Sequence, residues 1–295
     1  MSKTLFTGAG VAIVTPFAED GSVNFEALGN LIEMQIENET DAIIICGTTG
    51  EASTLTDDEQ IETIKFTVDK VNKRVPVIAG AGSNDTRHGI ELCKRCEQVG
   101  ADGLLIVTPY YNKTTQKGLI KYYTDMAGAS DLPVIMYSVA GRTGLNIQPK
   151  TVEELAKIDN IVAIKEASGN IAQVAEIAYR TQGDIDIYSG NDDMIVPLLS
   201  LGGKGVISVL SNIVPKYTHD MVMSYLNGDT KKATEMQINC FGLVKALFSE
   251  VNPIPVKAAL NMMGLNAGGY RAPLVEMEEE NRAILEKAMK EFGIL

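Results

Sequence analysis

The sequence predicts an α/β protein: a (β/α)8, or TIM, barrel followed by a C-terminal helical appendage. Eight short apolar runs recur at intervals of roughly 20 to 33 residues, the length of one βα repeat. Amphipathic stretches with helical spacing separate these runs. After the eighth run the pattern is helical only. We therefore predict a catalytic barrel over residues 1–225 and a helical region over residues 226–295.

The predicted strands are short and rich in β-branched residues, which is typical of buried parallel strands. In chain order they are residues 11–14, 42–46, 75–79, 103–107, 133–137, 161–164, 185–188 and 205–208. The predicted helices include residues 25–36, 57–71, 151–156, 216–226, 230–247, 255–263 and 275–292. The alternative, a doubly wound open sheet, usually carries a glycine-rich phosphate loop after its first strand. The segment Thr15-Pro-Phe-Ala-Glu-Asp-Gly21 has no such loop, which favours the barrel.

Composition narrows the possible partners. The chain has 295 residues and a net charge of −12, which makes nucleic acids and anionic membrane surfaces unsuitable partners. No apolar run approaches the roughly 18 residues of a membrane span, and the first residues lack the apolar segment of a signal peptide. Four cysteines suit a reducing compartment. We therefore expect a cytoplasmic protein.

The cysteines and histidines give little support for a metal site. Cys93 and Cys96 form a C-x-x-C pair in a predicted helix, but no second pair or nearby histidine completes a zinc set. A coincidence of helical spacing is therefore favoured over a metal or redox role. His88 and His219 are the only histidines, so a Ser-His-Asp triad is hard to build. No metal and no organic cofactor are expected.

The loops that follow the predicted strands hold the candidate functional residues, because barrel enzymes carry their chemistry at the C-terminal strand ends. The second run is followed by Gly47-Thr-Thr-Gly-Glu51, whose N–H groups and hydroxyls suit a small anion. An ordinary Gly-Thr turn is the alternative there. The fourth run is followed by Tyr110 and Tyr111, and the fifth ends at Tyr137 with Arg142 close behind.

Lys165 ends the sixth apolar run and is the most informative residue. Buried lysines are rare because desolvating an ammonium group is costly, and burial lowers the lysine pKa toward a nucleophilic amine. On this segment alone, a lysine that packs its stem and exposes its charge stays an open alternative. With Tyr137, the threonines and Arg142 at the same barrel mouth, imine chemistry is favoured. In that chemistry the lysine attacks a ketone and the tyrosine transfers protons.

Six motifs in order resemble the 4-hydroxy-tetrahydrodipicolinate (dihydrodipicolinate) synthase family of pyruvate-dependent class I aldolases. They cover nearly the whole chain, from Phe6 to Leu295. The motifs are Gly8-x-Gly-Val-Ala-x-Val-Thr-Pro-Phe17, Cys46-Gly-Thr-Thr-Gly-Glu51, Val107-Thr-Pro-Tyr-Tyr-Asn112, Tyr137-x-x-x-Gly-Arg-Thr-Gly144, Ile164-Lys-Glu-Ala-Ser-Gly169 and Asn252-Pro-Ile-Pro-Val-Lys257.

The resemblance implies a reaction and a set of catalytic residues. Pyruvate would form a Schiff base with Lys165, and the resulting enamine would attack L-aspartate 4-semialdehyde to give 4-hydroxy-tetrahydrodipicolinate, on the route to diaminopimelate and lysine. Tyr137, Thr48 and Tyr111 would relay protons. In this family the residue matching Tyr111 comes from a neighbouring subunit, which implies a homodimer or a dimer of dimers.

The resemblance also implies the residues that bind the substrates. Thr48 and Thr49 would hold the pyruvate carboxylate, and Arg142 the carboxylate of the semialdehyde. Gly190 and Ile207 match positions that line the pyruvate pocket. Two alternatives stay open: a sister aldolase such as N-acetylneuraminate lyase, and a non-catalytic barrel.

Five positions depart from the family pattern. Ser138 and Ala140 replace an asparagine and a proline in the segment before Arg142, which we expect to loosen that loop. Ala52 replaces a serine near the family's allosteric lysine site, where Gln60 and His88 also differ. We therefore expect this chain to be insensitive to L-lysine.

Overall fold

The computed structural model describes residues 4–295. Eight parallel strands follow one another around a closed barrel in sequence order, and the last strand pairs with the first. The strands are β1 Gly8–Ala12, β2 Ala42–Ile45, β3 Val77–Gly80, β4 Gly103–Val107, β5 Val134–Ser138, β6 Ile161–Glu166, β7 Asp186–Ser189 and β8 Gly205–Ser208. The predicted fold class is thus confirmed.

Helices surround the barrel, and further helices follow its last strand in the chain. Those between and just after the strands are α1 Phe25–Glu37, α2 Asp57–Val71, α3 Thr86–Gln98, α4 Gln116–Ala127, α5 Ala140–Thr143, α6 Pro149–Leu155, α7 Ile171–Thr181, α8 Ile195–Leu199 and α9 Pro215–Leu226. The C-terminal helices are α10 Thr230–Asn239, α11 Phe241–Leu247, α12 Ile254–Met262 and α13 Glu279–Phe292. Side-chain caps fix several starts; at α2, Thr56 and Glu59 form a reciprocal capping box.

Several predicted elements differ from the structure; the helix predicted from residue 275, for example, begins at Glu279. The first strand begins at Gly8, earlier than predicted, because small residues let neighbouring parts of the barrel approach closely: a Cβ on Gly10 would lie 2.6 Å from the Ile44 side chain. The single helix predicted over residues 230–247 is wrong, since the chain forms two helices that meet at Cys240.

The strands are buried on both faces. One apolar cluster fills the barrel interior and includes Ile44, Ile78, Leu105 and Ile135, whereas a larger cluster lies between the barrel and its helices. This arrangement explains why the strands appear in the sequence as continuous apolar runs.

The C-terminal helices pack on the same core. Leu243, Leu247, Leu260 and Leu285 are fully or almost fully buried and belong to the cluster that also contains barrel residues. The division at residue 225 stays a prediction. Within residues 4–295, no helix is both long and apolar enough to span a membrane.

Candidate active site

Lys165 lies on β6, in register between Tyr137 of β5 and Tyr188 of β7. The residue is 5% exposed, so the alternative of an exposed ammonium group is wrong. Its Nζ lies 4.3 Å from the centre of the Tyr137 ring. Within residues 4–295, no oxygen accepts a hydrogen bond from this nitrogen. Burial lowers the pKa of Lys165 to about 7; the charge of Asp192 opposes this shift and Arg142 adds to it.

Tyr137 is the side chain placed to move a proton beside that amine. It is the last residue but one of β5 and is buried, and burial raises the pKa of its hydroxyl. The positive charge of Arg142 and a hydrogen bond with the Thr48 side chain oppose this rise. Thr48, Tyr137 and Lys165 therefore form a contiguous polar set at the barrel mouth.

The loop between β2 and α2, residues 47–51, carries the two candidate carboxylate-binding threonines. Thr49 is buried, and its Oγ1 accepts a hydrogen bond from Asn252 Nδ2 at 3.0 Å. Thr15 Oγ1 donates to the carbonyl of Gly50 at 2.7 Å. Glu51 ends the loop with a φ of 54°, in the left-handed region that non-glycine residues rarely adopt. Hydrogen bonds from Thr15 and Asn252, which lie outside the loop, thus fix its position.

Arg142 lies on the short helix α5 and is exposed. Its Nη2 donates to the carbonyl of Asn252 at 3.1 Å, so Asn252 contacts both Arg142 and the Thr49 side chain. In the sequence, Asn252 stands out only as the first residue of the motif Asn252-Pro-Ile-Pro-Val-Lys257, with no role of its own. The family-like motif around it was the signal that could have revealed this role.

The expected loosening of the segment before Arg142 is not seen in its hydrogen bonding. Ser138 Oγ donates to Asn146 Oδ1 at 3.1 Å and accepts from the N–H of Ile147 at 3.2 Å. Ala140 begins a helical turn in which the N–H of Gly144 bonds to its carbonyl at 2.9 Å. The segment is therefore fixed at both ends, without the proline.

Gly190 lies against the Lys165 side chain, and Ile207 lies in the barrel interior. A Cβ on Gly190 would lie 3.1 Å from Lys165 Cε and 2.6 Å from the Ala167 Cβ, so only glycine leaves the lysine side chain in place. Ile207 is 1% exposed and belongs to the barrel-interior cluster.

Tyr111 is not brought together with the other candidate residues. It is 92% exposed and has a φ of 67°, whereas its neighbour Tyr110 lines the active-site cavity. Within residues 4–295, the Tyr111 hydroxyl makes no hydrogen bond. Its role in proton transfer stays a prediction that requires a second subunit.

The cavity at the barrel mouth has a volume of about 380 Å³ and extends from Thr48, Tyr137 and Arg142 toward His88. His88 Nε2 lies 2.9 Å from Asp57 Oδ1, and Nδ1 lies 3.0 Å from Ser83 Oγ. At the same end, Gln60 Nε2 donates to the carbonyl of Gly80 at 2.8 Å. Both side chains are engaged by the chain itself; insensitivity to L-lysine stays a prediction.

Asp192 is a buried acid that we did not single out from the sequence. It follows β7, is 2% exposed, and its Oδ2 accepts from the N–H groups of Val209 and Leu210 at 3.0 and 2.9 Å. Burial raises its pKa, and the same environment lets its charge act on Lys165. Its position in the loop after the seventh strand was the available signal.

The cysteines lie away from this chemistry. Cys93 and Cys96 are buried on α3, and burial raises the pKa of each thiol to about 12. Among the described residues, the grouping of Glu39, His219 and Asp220 has metal-ligand spacing. However, the Lys216 ammonium already bridges its two carboxylates at 2.9 and 3.2 Å.

The chain is similar to known proteins over almost its full length. The model of the dihydrodipicolinate synthetase family matches residues 5–292. The 4-hydroxy-tetrahydrodipicolinate synthase of Caldicellulosiruptor bescii is 59% identical over 99% of this chain and 98% of its own, and that of Acetivibrio thermocellus is 59% identical over 100% of both. The crystal structure of dihydrodipicolinate synthase from Thermotoga maritima matches 99% of this chain and 100% of its own with a TM-score of 0.97 and 42% identity. On these grounds, and on the barrel-mouth lysine and tyrosine, the chain belongs to the dihydrodipicolinate synthetase family.

Proposed function

We propose that this chain is a 4-hydroxy-tetrahydrodipicolinate synthase, a lyase that condenses pyruvate with L-aspartate 4-semialdehyde. The observation that carries the proposal is the environment of Lys165: a buried amine with a pKa of about 7 and no hydrogen-bond partner within residues 4–295, over the ring of Tyr137. A substantial fraction of this amine is neutral near pH 7 and is free to attack a ketone. The name shared by the full-length relatives supports the choice of substrates.

In the proposed reaction, the Lys165 nitrogen attacks the C2 carbonyl of pyruvate, and loss of water gives a Schiff base. Loss of a C3 proton then gives an enamine, whose carbon attacks the aldehyde of the semialdehyde and regenerates the Schiff base. The amino group of the semialdehyde then attacks C2, which closes the ring and releases the Lys165 amine with the cyclic product. Tyr137, hydrogen-bonded to Thr48, is placed to take and return these protons. Tyr111 of a second subunit would complete the relay.

Two anion sites fit the two carboxylates of this reaction. The loop of Thr48 and Thr49 presents N–H groups and hydroxyls that suit the pyruvate carboxylate. Arg142, at the exposed edge of the same cavity, suits the carboxylate of the second substrate. Gly190 and Ile207 would line the pyruvate pocket. The proposed chemistry uses no metal and no organic cofactor, and we place the enzyme in the cytoplasm.

A homo-oligomer, a dimer or a dimer of dimers, follows from the proposed role of Tyr111. A side chain that is 92% exposed on a backbone with positive φ is well suited to reach a neighbouring molecule. One relative of known structure, 43% identical with a TM-score of 0.96, is described as a monomeric dihydrodipicolinate synthase variant, so the fold itself does not require assembly.

Borohydride reduction in the presence of pyruvate tests the proposal. The reduced adduct is expected on Lys165, mapped by mass spectrometry of the digested protein, and it should be absent when pyruvate is omitted. Parallel assays with pyruvate plus the semialdehyde and with sialic acid separate this function from that of N-acetylneuraminate lyase. A chain that traps no pyruvate would support the non-catalytic alternative.

A further inference from the structure

A second buried lysine, Lys257, is not explained by the reaction. It lies on α12 in the C-terminal helical region and is 0% exposed. Its Nζ donates to Glu51 Oε1 at 2.8 Å, to the carbonyl of Thr15 at 3.1 Å and to the carbonyl of Gly269. All three ammonium hydrogens thus have acceptors, and the Phe17 ring lies 4.4 Å below the charge.

Glu51, the partner of this lysine, is the last residue of the loop that carries Thr48 and Thr49. Its side chain is 1% exposed. Its second oxygen, Oε2, accepts from the N–H of Arg271 at 3.3 Å. Both carboxylate oxygens are therefore bound by residues of the C-terminal region, more than 200 positions later in the chain.

These contacts form a closed ring that includes the last two residues of the loop, Gly50 and Glu51. Lys257 bonds to Glu51 and to the Thr15 carbonyl, and the Thr15 hydroxyl bonds to the Gly50 carbonyl, the residue next to Glu51. The left-handed backbone conformation of Glu51 costs conformational free energy. Such a conformation persists only where surrounding contacts fix it. The ring supplies those contacts at the residue where the loop would otherwise relax.

A buried ion pair adds little net stability to the folded state, because well-packed apolar residues of similar volume often stabilise the fold equally well or better. It does, however, define one geometry, since either charge left alone is costly. Here the geometry that it defines is that of the loop with the two threonines.

We propose that the Lys257–Glu51 pair is a positioning device, through which the C-terminal helical region holds the Thr48–Thr49 loop in the shape that binds the pyruvate carboxylate. This inference rests on the proposed function of that loop. Lys257 and Glu51 touch neither substrate; they act through the loop backbone. Loss of the pair should therefore weaken pyruvate binding more than it slows the chemistry at Lys165.

The test compares Glu51→Gln, Lys257→Met and the double variant with Leu285→Ala. Leu285 is a fully buried residue of α13, and its truncation is a control for lost stability without contact to the loop. For each protein we would measure melting temperature, KM for pyruvate, kcat, and the pyruvate concentration that half-saturates borohydride trapping.

Glu51→Gln is expected to raise KM for pyruvate and the half-saturating concentration about tenfold, with a smaller change in kcat. Leu285→Ala is expected to lower the melting temperature and leave KM unchanged. The double variant removes both charges, so it should melt above Lys257→Met and yet keep the raised KM. This separation of KM from stability would not follow from a merely structural pair.

Folded variants with wild-type KM and wild-type trapping would overturn the inference, and so would a KM that rises equally in Leu285→Ala. If Lys257→Met does not fold, Glu51→Gln alone decides, because it keeps the size of the side chain. A wild-type chain that traps no pyruvate contradicts the proposed function instead; trapping with unchanged KM in the variants contradicts only the positioning role.

Discussion

Lys165 and Lys257 are both buried, and both lie over an aromatic ring, at 4.3 Å from Tyr137 and 4.4 Å from Phe17. The two lysines differ in the hydrogen bonds that their Nζ atoms make. Lys257 has three acceptors, one of them a carboxylate, whereas Lys165 has none within residues 4–295. Burial lowers the pKa of both, but Glu51 opposes that shift directly at Lys257.

The comparison shows that burial does not by itself make a lysine a nucleophile. What matters is burial without a paired carboxylate, so that the amine loses its proton and its lone pair is unused. Lys257 is the more deeply buried of the two, yet its contacts suit a permanent cation. The same type of side chain thus has the environment of a neutral amine in one place and of a fixed charge in the other.

The largest expected effect separates the two lysines by activity. Lys165→Met should reduce turnover to the background rate and abolish pyruvate trapping, because among residues 4–295 no second lysine combines burial with the lack of a hydrogen-bond acceptor. Lys257→Met should still trap pyruvate on Lys165, at higher concentrations. Mass spectrometry of the reduced protein checks both; an adduct on Lys257 or Lys204 would show that the nucleophile is misassigned.

The next effect concerns the ring beneath each lysine. Tyr137→Phe gives Lys165 a ring like that beneath Lys257 and removes one hydroxyl, so turnover should fall about 10²- to 10⁴-fold while the protein stays folded. Tyr188→Phe is the matched control, since Tyr188 flanks Lys165 on the other strand but donates its hydroxyl to the Phe6 carbonyl. Steady-state kinetics decide, and an unchanged kcat in Tyr137→Phe would exclude the relay role.

The substitutions Lys165→Met and Lys257→Met should change the free energy of unfolding in opposite directions. Lys257→Met leaves the buried Glu51 carboxylate without its cation and should cost about 3–5 kcal/mol of unfolding free energy. Lys165→Met removes an amine that prefers to be charged in water and should stabilise the fold by about 1–4 kcal/mol at pH 7.

The pH dependence of that gain follows from the lowered pKa of Lys165. The unfolded chain holds this proton up to an ordinary pKa of 10.5, whereas the folded chain releases it above about 7. The cost of burying Lys165 is therefore complete below about pH 7 and disappears above 10.5, and the advantage of Lys165→Met should follow it. Urea unfolding at pH 7 and pH 9 measures both lysine variants; equal signs would contradict the comparison.

The smallest effect is a shift in the pH dependence of imine formation. The rate of pyruvate trapping should rise with pH, with a midpoint near 7, as Lys165 loses its proton. Asp192→Asn removes the charge that raises this pKa, so the midpoint should move to lower pH. Asp193→Asn, an exposed neighbour, should leave it in place. Stopped trapping reactions over pH 5–9 give the midpoints, and identical values for all three proteins would remove Asp192 from the site.

The barrel and the burial of Lys165 could be predicted from the sequence for a local reason. Each strand is a run of apolar residues buried on both faces, and Lys165 lies at the end of such a run, so its unusual position is visible within ten residues. Boundaries were less accurate where small residues allow close packing, as at Gly8 and Gly10 in β1.

Lys257 and Asn252 show what sequence reasoning could not supply. Both lie in a segment that reads as an ordinary helix start, and their partners are 203 to 206 residues away in the chain. No periodicity encodes such a pairing; it exists only once the barrel has closed and the C-terminal helices have packed on it. The role of Asp192 was hidden in the same way, since its partners come from the next strand's exit.

The ring of contacts that includes Glu51 can form only late in synthesis of the chain, because Lys257 and Arg271 lie near the C-terminal end. A ribosome adding roughly 5–20 residues per second would release Lys165 several seconds before Lys257. Until Lys257 and Arg271 emerge, the Glu51 carboxylate has neither of its partners. A nascent chain would therefore hold Lys165 well before its Thr48–Thr49 loop is fixed, and it would reach its full affinity for pyruvate only as its last helices dock.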